Sequence, residues 1–219
     1  MRMRKLSSLF AFVALLAVGP LPAHACTTNA ECDDNDPCTV NSCDPVLGCQ
    51  FAPAGGCMIG GLKLRLVDVQ GDLRVRMLTA GGYGGGAFPE PNGPNDPVLH
   101  GASLRIYTTN GDGFDNTYAL PPSHWRYIGR PDSKHGYGYK DFGGVDGAIH
   151  HVIIRNGKPS KVEGRGAALN FSLHTDPRPV NLVLRFGDVL DCLSFGGTTN
   201  FTPDLHVVAR FAPPPATCP

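Results

Sequence analysis

The sequence predicts a mostly β protein, in which an antiparallel β-sandwich or flattened barrel is preceded by a small disulfide-rich module. From residue 62 onward, apolar residues alternate with polar ones at a period of two, the pattern of half-buried strands. The chain of 219 residues contains 28 glycines and 20 prolines, which separate these stretches. Six of the eight cysteines fall within residues 26–57. A segment of that size cannot bury enough apolar surface to fold without cross-links.

The first 25 residues have the layout of a secretory signal peptide. Three basic residues precede an apolar run at Leu9–Val18, and the small residues Ala23 and Ala25 occupy the two positions that a signal peptidase reads. The run is too short for a membrane-spanning helix, which needs about 20 apolar residues. We therefore expect a secreted or cell-surface protein with no membrane span. Cleavage after Ala25 would make Cys26 the N-terminus, and its attachment to a lipid is an alternative that stays open.

The balance of acidic and basic residues changes at the same place in the chain as the density of cysteines. Residues 26–57 contain five acidic residues and no basic one, whereas residues 58–219 contain 16 basic and 14 acidic residues. We therefore predict a signal peptide at residues 1–25, a cysteine-rich module at residues 26–57 and a β-sandwich domain at residues 58–219. The formal net charge of the chain is zero. That balance argues against a nucleic-acid partner, because nucleic-acid-binding proteins present a strong basic field.

Closely spaced cysteines in an exported chain indicate disulfide bonds. The module contains Cys26, Cys32, Cys38, Cys43, Cys49 and Cys57. Fifteen pairings are possible and the sequence does not choose among them. The spacing lacks the paired C-x-x-C of a zinc site, which favours disulfides over metal. The other two cysteines, Cys192 and Cys218, lie in the β domain, and we expect them to pair and to hold the proline-rich tail against a sheet.

Two segments resemble parts of known proteins. The stretch from Asp36 to Cys49, DPCTVNSCDPVLGC, resembles a short module of secreted bacterial proteins with the pattern D-P-C-T-x-[DN]-x-C-D-P-x-x-G-C. The resemblance implies a disulfide-knotted extracellular unit and no particular activity. A second resemblance, carried by segments such as Trp125–Gly129 and Gly136–Asp141, is to a recurrent domain of uncharacterised secreted bacterial proteins. It implies secretion and β structure, and it brings no activity.

Oxygen ligands crowd the start of the cysteine-rich module. Asp33, Asp34 and Asp36 lie within four residues, as in a calcium loop. An EF-hand loop that begins at Asp33 would, however, place Pro37 at its fifth position and Cys38 at the sixth, where glycine is required. Calcium is therefore the one cofactor that we keep open. The alternative is an Asp-rich turn whose side chains accept hydrogen bonds from the local backbone.

The clearest predicted hairpin in the β domain has one apolar and one cationic face. Leucines alternate with Lys63 and Arg65, and further apolar residues alternate with Arg74 and Arg76, on either side of a Gln-Gly-Asp turn. Further strands are predicted at Leu104–Ile106, Ile149–Arg155, Leu169–Leu173, Val180–Phe186 and Leu205–Phe211. We expect the stretch from residue 169 to residue 186 to form a hairpin at the centre of the core.

An aromatic segment is the most suggestive feature for binding. Trp125 is the only tryptophan, and Tyr127, Tyr137, Tyr139 and Phe142 follow within a short span. Aromatic faces beside polar groups suit a carbohydrate ring or an extracellular protein partner. The alternative is a corner of the core, in which the rings are buried and the hydroxyls are hydrogen-bonded.

The sequence contains none of the common catalytic motifs for a nucleophile elbow, a zinc helix or a phosphate loop. We therefore predict a non-enzymatic extracellular binding or surface-structural protein. Two rivals stay open: a calcium-stabilised adhesion module, and a secreted hydrolase whose site is assembled from distant loops. The hydrolase would bring together two or more of His124, His135, Asp141, Asp146 and His174.

The adjacent histidines His150 and His151 lie in a predicted strand. Neighbouring residues of a regular strand point to opposite faces of the sheet, so these two side chains could share a ligand only at a bulge.

Overall fold

The computed structural model describes most of the chain outside the predicted signal peptide. The described residues are 26–33, 39–53, 57–81, 88–130 and 133–218. The predicted fold class is confirmed: the protein is mostly β, with antiparallel sheets and a disulfide-linked cysteine cluster near its N-terminus. Within the described part of the chain, no helix has the length and apolar character that crossing a bilayer requires.

The cysteine-rich module is a β-hairpin to which the preceding segment is cross-linked. A 3-10 helix at Asn29–Cys32 precedes strands β1 (Thr39–Asp44) and β2 (Gly48–Pro53). Disulfide bonds join Cys26 to Cys43 and Cys32 to Cys49. Because residues 43 and 49 are opposite one another in the hairpin, the two bonds fix the incoming chain to neighbouring points of one ladder.

The other cysteines that the structure describes are disulfide-bonded, as the sequence predicts. Cys57 is disulfide-bonded, and Cys38 lies outside the described residues. Cys192 and Cys218 form a disulfide bond, as their isolation in the β domain predicts. This bond holds the C-terminal tail to the strand that contains Cys192.

The β domain consists of two sheets that pack face to face. The large sheet has eight antiparallel strands in the order β14 (Thr198–Thr202), β15 (His206–Ala212), β4 (Gly61–Val69), β5 (Asp72–Thr79), β11 (Lys158–Arg165), β10 (Ile149–Arg155), β9 (Ser133–Lys140) and β8 (Trp125–Arg130). The small sheet has the order β3 (Cys57–Met58), β13 (Val189–Phe195), β12 (Val180–Phe186), β6 (Ala102–Thr108) and β7 (Phe114–Leu120), and only its β3–β13 pair is parallel. One turn of α-helix, α1 (Pro97–His100), precedes β6, and short 3-10 helices lie at Pro122–His124 and Ala167–Leu169.

The predicted hairpin of the large sheet has the geometry that its turn residues favour. Gln70 and Gly71 have φ angles of 53° and 83°, so both lie in the left-handed region. A two-residue turn with both central residues in that region matches the twist of the flanking strands and fixes the register of β4 against β5. The apolar alternation then directs Leu64, Leu66 and Val75 into the core.

The core lies between the two sheets. The inward side chains of the large sheet form one apolar cluster with Ile106, Leu182, Leu184, Phe186 and other residues of the small sheet. The residues between them in sequence, such as Val183 and Arg185, lie on the outer face of β12.

The predicted strand at Leu169–Leu173 is wrong. Leu169 ends a 3-10 helix, Asn170 has a φ of 50°, and β12 forms its hairpin with β13 instead. Leu169, Phe171 and Leu173 are nevertheless buried. The alternation therefore indicates that one side of an extended segment is buried. Such burial does not require that the segment pair with another strand.

Side chains replace the missing ladder along this segment. The Tyr118 hydroxyl donates to the carbonyl of Leu169 at 2.6 Å, and the Asn116 amide donates to the carbonyl of Asn170 at 2.8 Å. Burial raises the pKa of Tyr118 to about 12, so its hydroxyl remains a donor. The segment is thereby fixed to β7 without backbone pairing.

Asp112 organises the next part of the same segment. Its carboxylate accepts hydrogen bonds from the hydroxyls of Ser172 and Thr175 and from the backbone N–H of His174. These bonds, of which that from Ser172 contributes most, lower the pKa of Asp112 to about 2.

Replacement of Leu182 by alanine tests the packing of the core. Leu182 is fully buried between the sheets, and we expect its truncation to lower the free energy of unfolding by about 2–5 kcal/mol. The neighbouring Val183 faces outward, so Val183→Ala should cost less than about 1 kcal/mol. Urea denaturation of both variants measures the difference, and equal losses would contradict the assignment of the inner face.

The low pKa of Asp112 makes a pH-dependent contribution to stability. A carboxyl whose pKa is depressed on folding stabilises the protein above its unfolded value, about 3.9, and this contribution is lost as the pH falls toward about 2. We expect the Asp112 carboxyl carbon to titrate near pH 2 by NMR, and Ser172→Ala together with Thr175→Ala to move the midpoint toward 3.9. A midpoint near 3.9 in the unmodified protein would show that these bonds are absent in solution.

Candidate anion-binding face

The outer surface of the large sheet carries a dense group of basic side chains. Because Leu64 and Leu66 point into the core, Arg65 between them points outward, and the same alternation applies along β5, β11 and β15. We call the resulting group the cationic face; it consists of Lys63, Arg65, Arg74, Arg76, Lys161, Arg165 and Arg210.

Several of these cations oppose one another across neighbouring strands. The like-charged cross-strand pairs are Arg65–Arg76, Arg74–Arg165 and Lys63–Arg210. Like charges directly opposite each other destabilise a sheet. The arrangement therefore does not stabilise the sheet. It concentrates positive charge, as a surface that binds an anionic ligand requires.

One carboxylate neutralises part of the face at the hairpin turn. Asp72 forms ion pairs with Arg74 and, at 3.1 Å, with Arg165. The hydrogen bond from Arg74 lowers the pKa of Asp72 most, and that from Arg165 adds to it. Asp72 thus separates the charges of one like-charged pair.

A second carboxylate lies within the face. Glu163 contacts Lys161 at 2.7 Å, His151 at 3.1 Å and Arg76 at 3.3 Å. Burial raises the pKa of Glu163, but the hydrogen bonds from Lys161 and His151 outweigh this effect and lower the pKa overall. Glu163 therefore remains ionised and orients three cationic or titratable neighbours at once.

The remaining cations of the face have no carboxylate partner within the part of the chain that the structure describes. Lys63, Arg65 and Arg210 form no ion pair with any residue that the structure describes. Arg65 borders a depression of about 370 Å³ in the sheet surface. Its lining consists of Arg65, Val67, Arg74, Val75, Arg76, His150, Glu163, Gly164 and Arg165. Four arginines and one glutamate give the depression a positive charge.

A β-bulge places two histidines beside this depression. The pairing of β10 with β11 is irregular between Ile149 and His151, and both Ile149 and Val152 are buried. His150 and His151 therefore share the outer face, contrary to the expectation for a regular strand. Both rings contact Phe142, with centroids 6.0 and 5.9 Å apart, and Phe142 is 71% exposed. The bulge thus presents an exposed aromatic ring next to the arginines.

Three of the five residues in the aromatic segment are part of the core. Trp125, Tyr137 and Tyr139 are each fully buried. The Trp125 indole N–H donates to the carbonyl of Leu120, and the Tyr137 hydroxyl donates to the carbonyl of Pro89. Their rings cannot stack on a ligand, because they pack between the sheets. The burial of the three rings agrees with the alternative of an aromatic corner of the core.

The other two hydroxyls of this group have different surroundings. Tyr127 is only partly buried, and its hydroxyl donates to Asp96 at 2.6 Å. This bond raises the pKa of Tyr127. Burial raises the pKa of Tyr139 to about 12, and the nearby charges of Asp141 and Asp146 contribute to the rise.

The calcium prediction concerns the cysteine-rich module and stays a prediction. The Asn41 amide lies 3.5 Å from a carboxylate oxygen of Asp33, as expected of a polar turn. Asp34 and Asp36 lie outside the described residues.

The residues named for a loop-built catalytic site are partly brought together. One ring nitrogen of His124 and one oxygen from each of Asp141 and Asp146 lie within 4.8 Å of one another. His174 is elsewhere, where it contacts Asp204 and Asp112. His135 lies in β9, and its carbonyl accepts from the backbone of Asn156.

Sequence reasoning identified four of the seven residues of the cationic face. It placed Lys63, Arg65, Arg74 and Arg76 on one side of a hairpin. It did not add Arg165 or the other basic residues of β11 and β15, because strand neighbours in space are not neighbours in sequence. The alternation of Lys161, Glu163 and Arg165 with buried residues is the local signal that could have identified β11.

Comparison with known proteins bears on the cysteine-rich module. A family model described as a Dictyostelium (slime mold) repeat matches residues 31–53, which contain β1, β2 and four of the cysteines. No curated protein and no solved structure matches the chain. The match supports a cysteine-rich module at the position where the disulfide-linked hairpin lies.

Proposed function

We propose that the protein is an extracellular, non-enzymatic binding protein whose cationic face holds an anionic polysaccharide. One observation carries this proposal: like-charged residues oppose one another across the sheet around a depression that Arg65 lines without a carboxylate partner of its own among the described residues. Anionic groups of a ligand would relieve this repulsion on binding.

The dominance of arginine points to carboxylate or sulfate groups. A guanidinium group is planar and donates two parallel hydrogen bonds to such an anion, which lysine cannot do. Neighbouring strands are about 4.8 Å apart, and outward residues along one strand are about 6.8 Å apart. Arg65, Arg74 and Arg76 therefore form a two-dimensional array, which suits repeated charges along a polymer better than one small ion.

The aromatic ring beside the array favours a sugar polymer. Phe142 is exposed and is supported by the rings of His150 and His151. An exposed aromatic ring gives an apolar face on which a sugar ring can stack. The zero formal charge of the chain argues against a nucleic acid as the polymer, because nucleic-acid binders rely on a strong overall basic field.

The disulfide bonds support an extracellular site of action. Cys26–Cys43, Cys32–Cys49 and Cys192–Cys218 are all bonded. Such bonds persist in oxidising compartments and are rare in the cytosol. The signal-like N-terminal sequence points in the same direction.

Reversal of charge at two opposing arginines tests the proposal. We expect Arg65→Glu combined with Arg76→Glu to weaken binding to heparin and to polygalacturonate by at least about tenfold, because each lost charge-assisted contact is worth about 1.5–3 kcal/mol. Titration calorimetry at several salt concentrations should also show a weaker salt dependence.

The matched control is Arg185→Glu, which changes an exposed arginine on the outer face of the small sheet. It should leave both affinities within about twofold. If Arg185→Glu weakens binding as much as the double variant does, the cationic face is not the binding site. Tighter binding of single- or double-stranded DNA than of either polysaccharide would contradict the class of ligand.

Removal of the exposed ring tests the stacking contribution. Phe142→Ala should weaken binding to an anionic oligosaccharide by about three- to tenfold, the effect of losing one aromatic contact of about 0.5–1.5 kcal/mol. Val145→Ala, in the same loop and also highly exposed, is the control and should have no effect. If both variants bind as the unmodified protein does, the ring makes no contact with the sugar.

A further inference from the structure

A second group of polar side chains lies at one edge of the large sheet, where β8 pairs with β9. His124 is the last residue of the 3-10 helix that precedes β8, Asp141 directly follows β9, and Asp146 lies in the turn after it. The pairing of β8 with β9 brings the two chain segments together. Nitrogen and carboxylate oxygen atoms of the three residues lie within 4.8 Å of one another.

The contacts of His124 show which ring nitrogen is placed to act as a ligand. Its Nδ1 atom lies 3.1 Å from the carbonyl oxygen of Lys140. A carbonyl oxygen only accepts, so this contact is a hydrogen bond in the tautomer that carries the proton on Nδ1. In the neutral imidazole, Nε2 then has a free electron pair. Metal-binding histidines are oriented in this way, by donation from the other ring nitrogen to a backbone carbonyl.

The opposite side of the ring faces a carboxylate. Nε2 of His124 lies 2.6 Å from Oδ2 of Asp146. With Nδ1 protonated, a neutral ring would direct the lone pair of Nε2 at the lone pairs of the Asp146 carboxylate, which is repulsive. In this tautomer a metal cation bound by both atoms would remove the repulsion, whereas an imidazolium or the tautomer with the proton on Nε2 would donate to Asp146 instead.

Asp141 supplies a fixed carboxylate to the same place. It is only 3% exposed. One of its oxygens accepts from the backbone N–H of Val145 at 3.1 Å and the other from that of Asp146 at 2.9 Å. Each carboxylate oxygen can accept two bonds, so both retain an electron pair for a cation. A buried carboxylate whose orientation is set by hydrogen bonds is typical of a preformed metal site.

An unpartnered hydroxyl points to a ligand independently of this cluster. Tyr139 is fully buried, and its hydroxyl has no hydrogen-bond partner among the described residues. Its ring meets the His124 ring edge-on, with centroids 5.7 Å apart, and its hydroxyl is near the charges of Asp141 and Asp146. An unsatisfied buried hydroxyl costs free energy. A water molecule of a bound metal ion would provide the missing partner.

We propose that His124, Asp141 and Asp146 form a binding site for a divalent transition-metal ion of the Zn²⁺ class. Imidazole with carboxylates suits this class of ion, whereas Ca²⁺ and Mg²⁺ take oxygen ligands. The side chains of His124 and Asp146 are 27% and 37% exposed, which gives an ion access. Three protein ligands leave a coordination position for water. The ion ties the turn after β9 to the start of β8.

Titration of the purified chain, without its signal segment, with ZnCl₂ tests the site. Calorimetry at neutral pH should show Zn²⁺ binding that is at least about tenfold weaker in both His124→Gln and Asp146→Asn, since each removes one of three ligands. The melting temperature should rise with Zn²⁺ in the unmodified protein and rise less in these variants. CaCl₂ in place of ZnCl₂ should give no comparable binding.

The control variant is His174→Gln, because His174 also pairs with an aspartate, Asp204, at an exposed position. It should bind Zn²⁺ as the unmodified protein does. Circular dichroism and urea unfolding show that each variant is folded before titration. The proposal is overturned if the unmodified protein does not bind Zn²⁺, or if all variants bind it equally well.

Discussion

The alternation of inward and outward side chains along β4, β5 and β11 is the constraint on which both the core and the cationic face depend. The side-chain period of a strand is two, so fixing Leu64 and Leu66 between the sheets fixes Arg65 outside them. A slip of one residue would bury the arginines and expose the leucines. The turn at Gln70 and Gly71 excludes that slip, because its backbone geometry sets the pairing of the two strands. The favourable free energy of apolar packing therefore offsets the repulsion among the cations on the outer surface.

The two sites use electrostatics in opposite ways. On the cationic face, Asp72 and Glu163 neutralise some of the arginines, whereas Arg65 forms no ion pair with a described residue, so the surface retains positive charge. At the sheet edge, Asp141 and Asp146 surround one imidazole, and the surplus charge is negative. The first arrangement suits a flexible polymer with many anionic groups. The second is compact and hydrogen-bonded to its own backbone, which suits a single cation.

Two differences between the local sequence pattern and the structure share one physical cause. Trp125, Tyr137 and Tyr139 had the composition of a binding surface, but their rings are buried because β8 and β9 pack against the small sheet, where Trp125 meets Phe186. The segment from Leu169 to Leu173 had the alternation of a strand, but side chains from elsewhere satisfy its backbone. In both cases the local pattern describes which side chains are apolar, whereas the role of the segment depends on partners that are distant in sequence.

The sequence by itself determined the β class, the main hairpin with its cationic side, the cysteine-rich module and the Cys192–Cys218 pair, because strand period, turn residues and cysteine count are local properties. The tertiary structure decided how Cys26 and Cys32 pair, which aromatic rings are buried, and that a bulge brings His150 and His151 to one face. It also decided that His124 meets Asp146. These features depend on strand order and register, which join residues far apart in the chain and which no local pattern encodes.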